Sequence, residues 1–549
     1  TLPPGNVNLE IASVTRNGVT TAWTTGMTLA PGDKVTYKLT YDLPLADYEN
    51  LQLDAYLPMP VFGLAPGALG QDSSHGNNPD ANQWNFGTGT TGSPNATVTV
   101  GDNNKVTFDL GDSGATNSNV PGKIEIVFSA TVTSDPFADR LQLTAQGQHQ
   151  DSSSQNQAGT TTSVNQIVLG QADVQVYKGY TNKNDTQTGV TGQTFVAGSA
   201  LTSSTISNIG ASNASRFDGG DTVRVTIAVE NQGTSAKGAF NVEVKDALDG
   251  NLTANASTLK FYKGDGSPVT QVEIKVGAAW TVTNVAGNEG AILAALHTGD
   301  GVRFIDGADG ALGRGKDDAG ASVTTGANVI YLSYDATVKS SAAPNTNSNS
   351  AASLVGFANA EAGSNFLSTP RTESANIAFE ANKANLIITA TPDSSETAVA
   401  VGGKTGNAVI GEYIDYQVTL KLSEVTTTNG QITVSLGSGL GLVNVAGATA
   451  AGVGNITVGH AGFGTSGSFI GSAAIGADSG TAAASVTAIS ANSFTVGVGN
   501  IVNGQNDAGD ETITLQFRAV ALNTAGNVAG ATGADRRVAA TFTGADSVA

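Results

Sequence analysis

The sequence has no cysteine, which removes a disulfide framework, a thiolate nucleophile and a Cys-ligated zinc from consideration. Charge is scarce: only 13% of the 549 residues are Asp, Glu, Lys or Arg, about half the ~25% of an average globular protein. Basic residues are scarcest, 26 against 46 acidic ones, for a net charge of −20. That balance excludes an extended phosphate-binding face, and with it nucleic acid as a partner. It suits a soluble surface that attracts cations. Aromatics, at 6%, are too few for a sugar-binding cleft to accompany the many carboxylates. No apolar run approaches the ~18 residues of a membrane span, so no transmembrane segment is expected. The chain opens on Thr1 without a signal peptide, which reads as a processed chain or an excerpt of a longer one.

Catalytic signatures are missing too. His75, His149, His297 and His460 show no His-x-x-x-His pairing and read as surface or turn histidines. No nucleophile elbow, P-loop or dinucleotide fingerprint occurs. The expectation is a non-enzyme. Sequons such as those at Asn95 and Asn455 are what chance supplies in a chain this rich in Asn, Ser and Thr.

What is present is repetition. "GDKVTYKLTY" at Gly32, "GDTVRVTIAV" at Gly220 and "GEYIDYQVTL" at Gly411 each open with Gly and an acid, then alternate with period two. That is the pattern of a strand with one buried face. The expected inward sets are Val35, Tyr37, Leu39, Tyr41; Val223, Val225, Ile227, Val229; and Ile414, Tyr416, Val418, Leu420. They recur at intervals of 188 residues (Val35 to Val223) and 191 residues (Val223 to Ile414). A second phrase follows in the same order: "KIEIVFSATV" at Lys123, "VIYLSYDATV" at Val329 and "TITLQFRAVA" at Thr512. Two phrases in one order, three times, predict a tandem array.

Short alternating runs broken by Gly, Asn and Asp fill the intervals and predict antiparallel sandwiches. Only "NEGAILAALHTG" from Asn288 reads as a helix, of one or two turns with Asn288 as N-cap. The junctions "SVNQIVLGQADVQVY" at Ser163 and "SANIAFEANKANLII" at Ser374 carry no Gly/Ser tether, which favours a stiff rod over loose beads. The fold class expected is therefore all-β: three Ig-like antiparallel sandwiches in an elongated rod, over 1–170, 171–380 and 381–549. The third is expected to lack its closing strand, because "RRVAATFTGADSVA" matches the penultimate strand of the other units. The plainer reading is a polypeptide that continues beyond Ala549; the sharper one is an open edge that pairs with a strand from another chain.

The stretch "ADVQVYKGYTN…GGDTVRVTIAVENQGTSAKGAFNVEVKDAL", followed by a Gly/Asn/Asp loop and "ANVIYLSYDATV…NSNSAASL", resembles the conserved-repeat domain of large bacterial cell-surface proteins, a family of unknown function. The match covers the second unit best, and "KVTFDLGDSGATNSN…GKIEIVFSATV" in the first resembles its second half. The resemblance implies Ig-like sandwiches in tandem, an extracellular location at the cell surface, and copies of itself or other surface proteins as partners. The role expected is a structural subunit of an S-layer, sheath or fibre (a filament). An adhesin stalk is the alternative, and accessory domains of an enzyme rank last.

Two groups of residues invite chemistry. Each unit carries an Asp/Asn/Gly cluster near its second phrase: Asp109 and Asp112; Asp306, Asp309, Asp317 and Asp318; Asn503, Asp507 and Asp510. Hard oxygens on Gly-kinked loops are what calcium requires, and calcium binding is predicted at one loop or more. None has EF-hand spacing, and ordinary turn chemistry produces the same composition. The other is Lys178. Some bacterial surface sandwiches join a first-strand Lys to a last-strand Asn through an isopeptide bond promoted by a buried acid. Lys178, Asp246 and Asn359 can be cast in those roles, with Ser13 and Ala390 at the Lys position of the other units. The plainer reading is a solvated strand-end lysine.

Overall fold

A computed structural model describes the chain apart from residues 1–4, 63–82, 183–194, 393–408, 444–455, 462–478, 503–510, 528–536 and further stretches of six residues or fewer. Its strands form six sheets. Three main cores are buried between them: Val7 to Leu169, Ala172 to Phe379 and Ile414 to Ala519. The described structure is nearly all β, with one α-helix, Glu289–His297. That helix stands where the sequence placed it, but the Asn288 side chain makes no capping bond. Glu289 Oε2 instead accepts from the Gly287 N–H at 2.9 Å.

The two repeated phrases form one structure three times. Strand Lys34–Leu43 pairs with Gly122–Thr131, Thr222–Asn231 with Val329–Val338, and Tyr413–Leu422 with Glu511–Ala521, all antiparallel. Their registers coincide. Val35 faces Ala130, Val223 faces Ala336 and Ile414 faces Ala519; two residues on, Tyr37 faces Phe128, Val225 faces Tyr334 and Tyr416 faces Phe517. Every inward residue expected from the alternation is buried. A one-residue slip would turn all of them to the other face, so burial fixes the register.

The Gly-acid opening closes each pair. The N–H groups of Gly32, Gly220 and Gly411 donate to the carbonyls of Val132, Val338 and Ala521, and the N–H groups of those residues donate back to Asp33, Asp221 and Glu412. Each glycine sits at positive φ, between 78° and 98°, where a side chain is strained. The acid ties down the incoming turn: Asp33 Oδ2 accepts from the Ala30 N–H and Glu412 Oε2 from the Val409 N–H, both at 2.7 Å.

The antiparallel expectation needs one amendment. The closing strands Gln157–Leu169 and Arg371–Phe379 also pair parallel with the short strands Thr28–Leu29 and Ala214–Phe217. The same two strands cover the outer edges of Gln142–Asp151 and Asn347–Ala358. In the third unit Val538–Asp546 pairs with Thr426–Leu436, and no described strand lies outside it. Its inward side chains Val538, Ala540 and Phe542 pack on the core but are only partly buried.

Candidate functional site

The acidic loop of the second unit lies against the first unit. Leu169 ends one closing strand and Val174 starts the next unit's first strand, so only four residues separate them. Across this joint Asp139 Oδ1 accepts from the Gln171 N–H at 2.9 Å and from the Thr234 hydroxyl at 2.5 Å. Gly170 and Gly233 permit the approach: a Cβ on Gly170 would lie 2.9 Å from the Thr234 carbonyl oxygen, and one on Gly233 would lie 2.1 Å from that of Gln171.

Asp309 and Asp318 have partners from the first unit. Asp309 Oδ1 accepts from Asn17 Nδ2 at 2.6 Å. Asp318 Oδ1 accepts from the Thr28 hydroxyl and from Arg314 Nη1, both at 2.7 Å, and its carbonyl accepts from Arg140 Nη1 at 3.3 Å. Arg16 sits beside them, held by Asp33 through Nε at 3.0 Å and Nη2 at 2.6 Å. Burial pulls its guanidinium down, but Asp33, with Asp318 and Asp309 behind it, leaves it raised overall.

The remaining predicted ligands are scattered. Asp306 accepts from the Asn241 N–H at 3.0 and 3.1 Å, and burial pushes its carboxyl up to about 6. Asp317 accepts from the Ala321 N–H within its own turn, at 2.8 Å. Asp109 accepts from the Gly111 N–H at 3.1 Å. Asp112 lies in strand Lys105–Ala115, its side chain outside the described set, and Asn503, Asp507 and Asp510 lie outside the described residues. Among the described residues no three His, Cys, Asp or Glu side chains converge on a metal-sized site.

Lys178 is not a solvated strand-end lysine. In strand Val174–Asn182 it faces Ile227, and its side chain is fully buried. The position it occupies holds Leu9 in the first unit and Ile388 in the third, facing Leu39 and Val418, rather than Ser13 and Ala390. Its Nζ contacts Asp246 Oδ1, also fully buried. Asp246 Oδ2 accepts from the Tyr334 hydroxyl, and His297 Nε2 stands 3.1 Å from that hydroxyl and 3.7 Å from Oδ2. Burial drives the Lys178 ammonium down from its usual value against the pull of Asp246. The same burial pushes Asp246 up, but Lys178 and the surrounding donors outweigh it and leave the carboxyl below its usual range.

Asn359 takes no part. Its Nδ2 donates to Gln171 Oε1 at 2.5 Å and its Oδ1 accepts from the Ala172 N–H at 3.1 Å. Ala172 is six residues from Lys178 along an extended chain, roughly 20 Å. The alternative of a Lys178–Asn359 bond is thereby excluded. Sequence reading also missed His297, which lies against Tyr334 in this buried cluster, and His149, which is buried with its ring 4.9 Å from that of Tyr41. His149 is not a surface histidine, and His297 is only partly exposed.

Among the described residues no helix is long and apolar enough to cross a membrane. No protein-family model matches the chain, and no curated protein matches it. Among solved structures it is similar to the C-terminal domain of the Streptococcus pyogenes antigen I/II-family protein AspA, at 11% identity and a TM-score of 0.29, over 69% of this chain and 100% of that one. The C-terminal domain of the Streptococcus agalactiae AgI/II polypeptide BspA gives 12% and 0.27, over 68% and 99%. BcpA, the major pilin subunit of Bacillus cereus, gives 10% and 0.21, over 64% and 74%. Likenesses at this level say nothing of activity or partner.

Proposed function

We propose that the chain is a non-enzymatic structural segment of an extracellular surface assembly: a layer, sheath or fibre built from tandem sandwiches. The observation that carries this reading is the joint. Asp139, Asp309 and Asp318 are engaged in fixing one unit against the next, and a polar interface so tied transmits position rather than performing chemistry. The repeated Gly-acid closure supports the same reading, since it builds one rigid element three times. The partly buried strand Val538–Asp546 is proposed as an edge that takes a further strand, whether from a continuation of this chain, a second copy or another surface protein.

Electron microscopy of native cell surfaces labelled with an antibody to this chain tests the proposal. Regular lateral or end-to-end repeats are expected. Isolated projections ending in a separate binding tip would replace the assembly reading with the adhesin stalk. A cation requirement remains a proposal from sequence, placed on the acidic loops. Melting in calcium against melting in chelator tests it, because a ligand bound only to the folded state raises its stability.

A further inference from the structure

We propose that the middle unit carries a self-complementary edge, strand Ala279–Asn284, through which two copies of this chain pair antiparallel about a two-fold axis. The strand is the second arm of a hairpin with Gln271–Val276, and it ends its seven-stranded sheet. The hairpin turns on two residues, Gly277 and Ala278, with Gly277 at φ 66°. In so tight a hairpin the flanking pair, Val276 and Ala279, exchanges both hydrogen bonds, and bonded pairs then alternate along the arms. Ala279, Thr281 and Thr283 therefore direct their N–H and C=O groups to the first arm. Trp280 and Val282 direct theirs outward, where no strand among the described residues meets them.

Natural edges are blunted by charge, proline, bulges or brevity. Two other end strands of this chain show it: Leu252–Lys263 shifts register and carries Lys260 and Lys263, and Asn385–Pro392 ends in proline. The sequence AWTVTN has no charge and no proline, and its register against the first arm runs without a shift. Its six residues make a strand of ordinary length. Val282 is 51% exposed, and Val276 at the turn is 61% exposed. Trp280 is held in place by the Arg303 guanidinium, 4.2 Å from its ring centroid.

The charges behind the edge select a second copy as its occupant and fix the register. Trp280 lies opposite Lys275, and Val282 lies opposite Glu273. With Thr281 of each copy on the axis, Trp280 meets the partner's Val282. Each row across the boundary then reads Glu273, Val282, the partner's Trp280, the partner's Lys275. Opposite charges flank an aromatic–β-branched pair of the kind that stabilises sheets. Their backbones stand three strand spacings apart, roughly 14 Å, a gap that two long side chains can lean across. Moving the axis to Val282 would set Glu273 against its own copy, and moving it to Trp280 would do the same to Lys275. The same register makes Trp280 and the partner's Val282 a bonded pair, so the outward backbone groups of both copies are satisfied. This contact deepens the assembly reading by supplying a lateral joint between middle units, and rests on that reading only for its setting.

The chain has no cysteine, so a single introduced one reports the register. Across a non-bonded antiparallel pair the Cα atoms stand about 4.5 Å apart, within disulfide range. Under mild oxidation of the purified full chain, Thr281→Cys is expected to form a covalent dimer of twice the chain mass. Thr283→Cys should not crosslink with itself, because its own copy lies roughly 14 Å away, but it should pair with Ala279→Cys on mixing. Sedimentation of the unmodified chain should show a dimer that dissociates on dilution. Val282→Lys, a charge at an exposed edge position, should abolish that dimer without moving the melting temperature. A chain that stays monomeric at about 100 μM overturns the proposal. So does a Thr283→Cys crosslink as fast as that of Thr281→Cys, or a dimer indifferent to Val282→Lys. These measurements are made in solution, so their outcome is independent of whether native surfaces show an array.

Discussion

At one position in the sandwich the three units place Leu9, Lys178 and Ile388. The backbone there is the same, a first strand paired to the strand of the first phrase, yet the middle unit buries an amine where its neighbours bury a hydrocarbon. The difference shows which features belong to the fold and which to one unit. The Gly-acid closure and the shared register are common to all three. The Lys178–Asp246–Tyr334–His297 cluster is an addition made inside a core that the same architecture otherwise builds mostly from aliphatic and aromatic side chains.

The largest effect expected from breaking this contrast comes from Lys178→Leu, which gives the middle unit its neighbours' residue but strands the Asp246 carboxylate. Removing one partner of a buried pair costs about 3–5 kcal/mol. The second unit should therefore unfold first in denaturant, by a margin visible in its Trp280 fluorescence. Replacing both, Lys178→Leu with Asp246→Leu, sharpens the comparison. An ion pair exchanged for apolar residues is often neutral or stabilising. The double variant is therefore expected to recover most or all of the native stability, and calorimetry decides the point.

A smaller effect tests what the units share. Gly411 sits at φ 88° with open space around its missing Cβ, so Gly411→Ala isolates backbone strain, about 1–2 kcal/mol. The third unit's melting transition should fall, with the other two unmoved.

The smallest effect concerns the acidic loops. Asp306 has its folded pKa raised to about 6 by burial, so between the ordinary carboxylate value and 6 the folded state holds more protons than the unfolded one. Stability contributed there is present at low pH and is lost as pH rises through about 6. Asp306→Asn should thus stabilise the chain by about 1 kcal/mol at pH 8, a figure reduced for the solvent reaching this half-buried group. Below pH 4 the gain should vanish. Paired melts at the two pH values check it.

Much of the fold was legible because alternation is a local signal: the inward residues of the three first-phrase strands follow from period two, and two phrases in fixed order imply a repeated register. What connects distant positions was not legible. The sequence shows four carboxylates between Asp306 and Asp318 but not that Asn17 and Thr28 come to meet two of them. The sequence puts Ser13 and Ala390 near the Lys178 position; only the pairing with Ile227 reveals that its counterparts are Leu9 and Ile388. Asn359 carried the right chemistry for a lysine partner and lay at the wrong end of the strand, a distance along the chain axis that residue types do not encode.

The four-residue passage from Leu169 to Val174 also has a mechanical meaning. A chain pulled from its ends passes tension from Gln157–Leu169 into Val174–Asn182 through almost no slack. The Asp139 bonds to Gln171 and Thr234 lie beside that path as a second spring in parallel with the backbone. Stretching should shear these short contacts together before either strand can peel from its sheet, so the first yield in a pulling experiment would be an abrupt, small extension at the joint.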